Sequence, residues 1–334
     1  MKPIRLGVIG LGLIWVREHK RSLAQLTDVF EIAALCDLSQ DRRTQAAADF
    51  PGVPIVDSAD ALLALPDVDA VLVLTPIALN APTALKALQA GKDVFMEKPI
   101  ARSVAEGQAL VDAAAQRGRR LFVLEQMGYR AADAVVAQHL ASGVIGDVIL
   151  WERVLHFEAD TAQGPMSYAS TPWRKQADFP LGTLFDGGIH LIAQQGQIFG
   201  PPSAVTATGR KFRPEYGEFD QVSMLFQYAD GLSGMLSHSS CLPPVQNHFH
   251  VHGSQGVISV ERDQLVIEIP HQEAQIIDLP ADDARATMWD AIVAAYREDR
   301  TPPYDTARAL MDVAILEAVD RSIKAGVRVE ISRD

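Results

Sequence analysis

At 334 residues, with 48% apolar and 22% charged side chains, the chain can bury a large core and divide into two domains. Its formal net charge of −12 argues against nucleic acid as the main partner, because no basic surplus exists to neutralise phosphates. The two cysteines, Cys36 and Cys241, rule out a disulfide framework and fit a reducing compartment.

Lys2 and Arg5 ahead of an apolar run imitate a signal peptide. No small-residue cleavage site follows, however, and REHKR at 17–21 is strongly charged, so the expected location is cytoplasmic. No apolar run reaches the roughly 18 residues that a membrane span needs, and no membrane partner is expected.

In chain order, strands are expected at 4–9, 31–36, 53–56, 70–75, 93–97 and 121–126. These runs are apolar without strict alternation, the pattern of strands covered on both faces. Helical segments separate them: one over 81–90 is closed by Gly91, and another is opened by the Ser103–Glu106 capping spacing and stopped by Gly118. Repeated strand–helix units predict a doubly wound parallel sheet of Rossmann type over residues 1–126.

The first strand runs into Gly10 and Gly12, two of the glycines of a G-x-G-x-x-G dinucleotide turn, but Trp15 takes the third position. Such a turn binds pyrophosphate through the backbone N–H groups of Gly10 to Ile14, including Leu13, and these an indole does not remove. The expectation is therefore that binding survives, with the first helix displaced, the indole near the pyrophosphate or sheet edge, and Val16, Leu23 and Leu26 on one helix face. Asp37 ends the second strand, where a carboxylate either caps a helix or accepts the ribose hydroxyls and repels a 2′-phosphate. That favours NAD, while the nearby Arg42 and Arg43 keep NADP as the alternative.

From about residue 127 the pattern changes to a domain over 127–334. A helix at about 131–142 leads into DVILWERVLHF, and strands follow at 203–212, 220–228, 232–240, 247–253, 256–262 and 264–269. Helices are expected near 187–199, 284–298 and 305–325, making an α+β domain with a large, mainly antiparallel open sheet. Asp186 and His190 fall four apart on one helical face, beside Gly187 and Gly188, which leave room for a ligand. The pair reads either as a cap with a buried histidine or as an acid–base pair, since imidazole ordinarily titrates near neutrality. In HFHVH, His248, His250 and His252 share one strand face, but no carboxylate or cysteine follows at ligand spacing, so no metal is expected.

AGKDVFMEKPIARSVAEG at 90–107, with VLVLTP at 71–76, resembles the glucose–fructose oxidoreductase/inositol dehydrogenase (Gfo/Idh/MocA) family of NAD(P)-dependent oxidoreductases. The resemblance runs on through GYR at 128–130, TPWR at 171–174, GTLFDGGIHLIAQQGQIFG at 182–200 and VHGSQGVISV at 251–260. Asn80 and Gln194 depart from it, standing where a histidine and an acid are usual.

The resemblance implies hydride transfer between NAD(P) and a CH–OH carbon of a sugar, inositol or related polyol. Lys98, Asp186 and His190 would be catalytic: His190 is assigned the proton and Lys98 the alkoxide, with which of the two takes the proton first left open, and Asp186 orients the substrate or tunes its neighbours. Pro99 would hold the lysine backbone extended so that its ammonium is aimed. The cofactor would meet Gly10, Gly12, Leu13, Ile14, Asp37, Thr75, Pro76, Asn80, Glu97, Lys98 and Gln126. The substrate would meet Tyr129, Trp173 and Arg174 besides the catalytic three, although Trp173 and Arg174 also read as an aromatic–arginine packing pair. Subunits would meet through the second sheet as a homodimer or homotetramer. The family also contains inactive sugar sensors and NAD-using glycosidases, and these alternatives stay open.

Overall fold

The computed structural model describes residues 2–159, 167–168, 171–176, 179–261, 263–281 and 283–332. Arg262, the last residue of the strand expected at 256–262, lies outside them. The chain forms two compact units, one of Met1–Gln126 with Arg285–Val313 and one of Met127–Ala284 with Ala314–Asp334.

The first unit alternates strand and helix: β1 (Ile4–Ile9), α1 (Lys20–Ala24), β2 (Phe30–Cys36), α2 (Gln40–Asp49), β3 (Ile55–Val56), α3 (Ala59–Leu63), β4 (Ala70–Val73), α4 (Ile77–Gln89), β5 (Asp93–Glu97), α5 (Val104–Arg117) and β6 (Leu121–Leu124). The six strands are parallel in the order β3-β2-β1-β4-β5-β6, the doubly wound arrangement. Every residue of β4 and β5 is buried, which is why these runs carry no polar alternation. The Ser103 hydroxyl accepts from the Glu106 N–H at 3.2 Å, and Gly118 ends α5 in the left-handed conformation. Strand order reverses at β1 and β4, so the carboxyl ends of these strands are where this architecture gathers ligands.

The second unit begins with α6 (Ala131–Ala141), β7 (Val148–His156) and α7 (Ile189–Phe199). It continues through β8 (Ala204–Arg210), β9 (Gln221–Gln227), β10 (Ser233–Ser239), β11 (His248–Gly253), β12 (Val257–Glu261), β13 (Gln264–Glu268) and β14 (Gln275–Asp278). After α8 (Ala284–Glu298) and α9 (Thr306–Ala325), β15 (Val329–Glu330) closes a nine-stranded sheet in the order β14-β13-β12-β11-β7-β10-β9-β8-β15. All its pairings are antiparallel except β7 with β10. Burial alternates along β9, β11 and β13, so one face is a core face. There Trp151 is fully buried, stacked on Phe199 of α7 at 5.6 Å and on Phe226 at 5.9 Å.

Residues Arg285–Val313 join the first unit through Trp289 of α8, whose ring meets Phe30 at 5.7 Å and Phe95 at 6.0 Å. No helix among the described residues is long and apolar enough to cross a membrane.

Candidate functional site

β1 delivers Gly10 with φ +100°, and a Cβ there would lie 2.7 Å from the Leu74 carbonyl oxygen, so only glycine fits. Past β2, the buried Asp37 closes the turn: Oδ2 accepts from the Leu11 N–H at 2.7 Å and Oδ1 from the Ser39 N–H at 2.8 Å. Arg42 Nη1 donates to the same Oδ2 at 3.3 Å and would stand 3.6 Å from a Cβ on Gly12. Arg43 is spent differently, its Nη1 donating to the carbonyls of Asp37 and Leu38 at 2.8 Å each. Of the two arginines, Arg42 is therefore the one beside the glycine turn.

Leu13 and Ile14 start the first helical segment, whose next turn, Trp15–His19, is π-helical. The wider turn rotates the helix, so the buried stripe is Trp15, His19 and Leu23. This corrects the expected Val16–Leu23–Leu26 face: Val16 is 52% exposed and Leu26 lies beyond α1. The Trp15 indole is 3% exposed and meets the Phe50 ring at 6.0 Å.

At the ends of β4 and β5 the side chains knit together. Thr75 donates to Asn80 Oδ1 at 2.8 Å, and Asn80 Nδ2 donates to the Glu97 carbonyl at 3.2 Å. Asn80 thus ties Thr75, next to Pro76, to the Glu97–Lys98–Pro99 segment, whose Lys98–Pro99 peptide is cis. His19 Nε2 donates to Glu97 Oε1 at 2.8 Å, and Arg285 Nη1 stands 3.4 Å from that oxygen. Burial pushes the Glu97 carboxyl up, but the His19 hydrogen bond and the charges of Arg285 and Lys98 outweigh it and hold it down to about 2. Burial lowers the His19 imidazole against the raising pull of Glu97, and because the carboxylate only accepts, the proton between them sits on Nε2. Sequence reasoning missed His19 and Arg285; the only signal for His19 is its helical spacing from Trp15 and Leu23.

The groups of the first unit fit a dinucleotide. Glycines at positions 10 and 12 open the turn, a carboxylate stands at the end of β2, and the buried Gln126 Oε1 has no hydrogen-bond partner among the described residues. Such an orphaned acceptor suits a ribose hydroxyl or an amide N–H.

In the second unit, Asp186 lies in a π-helical turn, Leu184–Gly188, that feeds directly into α7 and His190. Its carboxylate is gripped by one edge of a guanidinium through two donors: Arg174 Nε donates to Oδ2 at 2.5 Å and Nη2 to Oδ1 at 3.2 Å. The same guanidinium lies 4.0 Å from the Trp173 ring centre, so this pair packs together and also grips Asp186. Gly187 faces open space, as expected. Gly188 does not: a Cβ there would lie 2.5 Å from Leu184 Cδ1 and 3.3 Å from His238 Nε2, so this glycine serves packing rather than ligand room. His238, a third missed residue, is buried on β10, its imidazole pushed down to about 4 first by burial and then by His156. Gln194, in the position where an acid is usual, donates to Asp133 Oδ2 at 3.0 Å, and Tyr129 is buried in the short turn Gln126–Tyr129.

Residues 4–125 match the oxidoreductase family model with an NAD-binding Rossmann fold, GFO_IDH_MocA, and residues 134–259 match the GFO/IDH/MocA C-terminal domain. The chain belongs to the Gfo/Idh/MocA oxidoreductase family. A scyllo-inositol 2-dehydrogenase (NADP+), IolW of Bacillus subtilis, is 26% identical over 75% of this chain and 66% of its own length. A dTDP-3,4-didehydro-2,6-dideoxy-α-D-glucose 3-reductase of Actinomadura kijaniata is 27% identical over 95% of each chain. The crystal structure of an oxidoreductase from Thermotoga maritima superposes with a TM-score of 0.90 at 27% identity, covering 98% of both chains. Family membership accounts for the six-stranded sheet of the first unit.

Proposed function

We propose that this family member is an NAD(P)-dependent dehydrogenase or reductase acting on a CH–OH carbon of a sugar, inositol or related polyol. The observation that carries the reading is the two-pronged Arg174 grip on Asp186, four residues before His190. A carboxylate so held is fixed in direction, ready to accept from adjacent substrate hydroxyls. The relatives named for inositol and for a keto-sugar nucleotide support a polyhydroxylated substrate.

The nicotinamide, when bound, supplies the hydride acceptor or donor. His190 takes the hydroxyl proton as general base, and Lys98 steadies the negative charge growing on the alkoxide oxygen. Asp186 orients the reacting carbon, and Arg174 and Trp173 keep Asp186 in place. Gly10, Gly12, Leu13 and Ile14 offer backbone N–H groups to the pyrophosphate, and Asp37 takes the adenosine ribose. Asp37 favours NAD, and Arg42 beside it gives a 2′-phosphate one cation to pair with, which keeps NADP as the alternative.

The test is NADH and NADPH absorbance over a panel of sugars, inositols and their keto forms. Turnover on a polyol or its ketone is expected, reduced at least about 100-fold in Lys98→Ala and in His190→Ala. Cofactor binding without turnover across the panel, or release of a free sugar from a glycoside with no net reduced cofactor, would overturn the proposal.

A further inference from the structure

The nine-stranded sheet carries a second cluster of chemistry-bearing side chains, remote in sequence from the residues discussed so far. β11 pairs antiparallel with β7 in a register that sets His250 directly opposite Glu152, with His248 opposite Val154 and His252 opposite Leu150. The histidines alternate with the buried Phe249 and Val251, so all three stand on the face opposite the apolar core, each partly exposed. Glu152 Oε1 lies 3.5 Å from His250 Nδ1 and 3.2 Å from His252 Nε2. One donor atom from each of Glu152, His248 and His250 lies within 4.8 Å of the others. The His248 and His250 rings stack with centroids 4.7 Å apart.

We propose that Glu152, His248 and His250, with His252 beside them, form a binding site for a divalent transition-metal ion of the zinc class. A tetrahedral ion with bonds of about 2.0–2.1 Å holds its donors about 3.3 Å apart, and the 3.5 and 3.2 Å separations at Glu152 are already at that spacing. The remaining donors close the gap by side-chain rotation alone, because β7 and β11 are locked by their ladder.

Orientation around the cluster supports coordination. His248 Nδ1 lies 3.0 Å from the Gln246 carbonyl oxygen, which only accepts, so in the neutral ring the proton sits on Nδ1 and the lone pair on Nε2. A backbone carbonyl on the second nitrogen is the usual way a metal-binding histidine is oriented. Asn247 fixes the neighbouring backbone by accepting from the His156 N–H at 2.7 Å and donating to the His156 carbonyl at 2.9 Å. Two imidazoles and a carboxylate, with a third imidazole beside them, select zinc, copper or nickel over magnesium and calcium, which take all-oxygen shells.

The carboxylate comes from the neighbouring strand rather than from downstream of HFHVH, so local spacing could not reveal it. The bound ion joins β7 to β11 in the middle of the sheet and stabilises the folded state by mass action.

The test is equilibrium dialysis of the full chain against Zn²⁺, with Mg²⁺ as the control, followed by the visible spectrum with Co²⁺. One Zn²⁺ per chain is expected, bound about tenfold or more weakly in Glu152→Gln and in His250→Ala. Absorption bands of four-coordinate Co²⁺ are expected in the unaltered chain, along with a rise in Tm on adding Zn²⁺ that Glu152→Gln loses. No binding at micromolar Zn²⁺, or equal binding by the unaltered chain and both variants, would overturn the proposal and leave the cluster an ordinary histidine–carboxylate network.

Discussion

Arg174 does two jobs with one planar group: its edge grips Asp186 and its face rests on Trp173. A lysine keeps the charge but has no second parallel donor. Arg174→Lys is therefore expected to lower kcat/KM by about 10- to 100-fold, the loss of one charge-assisted hydrogen bond of about 1.5–3 kcal/mol, while leaving NAD(P)H affinity unchanged. Steady-state kinetics with a fluorescence titration of cofactor checks both halves. Trp15 makes the opposite case. Because its indole is buried against Phe50, Trp15→Ala is expected to cost about 3–5 kcal/mol of stability in denaturant unfolding. Affinity for NAD per folded chain should move by less than about tenfold, since the turn binds through backbone N–H groups.

Elements show how far a pattern carries. The strands of the first unit were legible because burial on both faces leaves uninterrupted apolar runs, and α5 because Ser103 and Gly118 mark its ends in local chemistry. The π-helical turns Trp15–His19 and Leu184–Gly188 were not legible: a widened turn has no residue signature, and it moved Val16 out of the buried stripe. Short β14 and β15 escaped for a similar reason, as pairing with β13 and β8 defines them more than their own residues do.

A buried acidic cluster in the first unit, Asp312 of α9 with Tyr304 and Glu125, predicts a pH dependence. Tyr304 donates to Asp312 Oδ2 at 2.6 Å, with the fully buried Glu125 near enough to act on both by charge. Burial pushes the Asp312 carboxyl up from 3.8 to about 8; Glu125 adds to the rise, while Tyr304 and Arg308 oppose it. Between those values the folded chain holds a proton that the unfolded chain has released. This contribution is complete at the acid end and declines as pH rises through about 8, by at most about 1.4 kcal/mol per pH unit. Thermal unfolding followed across that window should show a falling Tm, and Asp312→Asn should flatten the slope. An unchanged slope in the variant would assign the dependence to other groups.

At the scale of the molecule, what sequence could not supply is which distant residues meet. Lys98, Asp186 and His190 were singled out by motifs that family members share, whereas His19, Arg285 and His238 entered only through the fold. The partners of Glu97 come from the first helix and from α8, positions 78 residues before it and 188 after it. β7 likewise pairs with β10 and β11, far downstream, and so brings Glu152 to the histidines of β11. Local periodicity reads an element's type and its buried face; strand order and helix return are set by long-range packing that no short window contains.

The proposed reaction is hydride transfer between a nicotinamide and a polyol carbon, with Lys98 and His190 serving the hydroxyl oxygen. It is tested most directly by supplying NADH deuterated at C4 on the transferred side with a panel of keto-polyols, and weighing the alcohol products. One deuterium is expected on the new CH–OH carbon, at a rate at least about 100-fold lower in Lys98→Ala. Alcohol formed without deuterium under either C4 labelling, or with full label at an undiminished rate in Lys98→Ala, would contradict it.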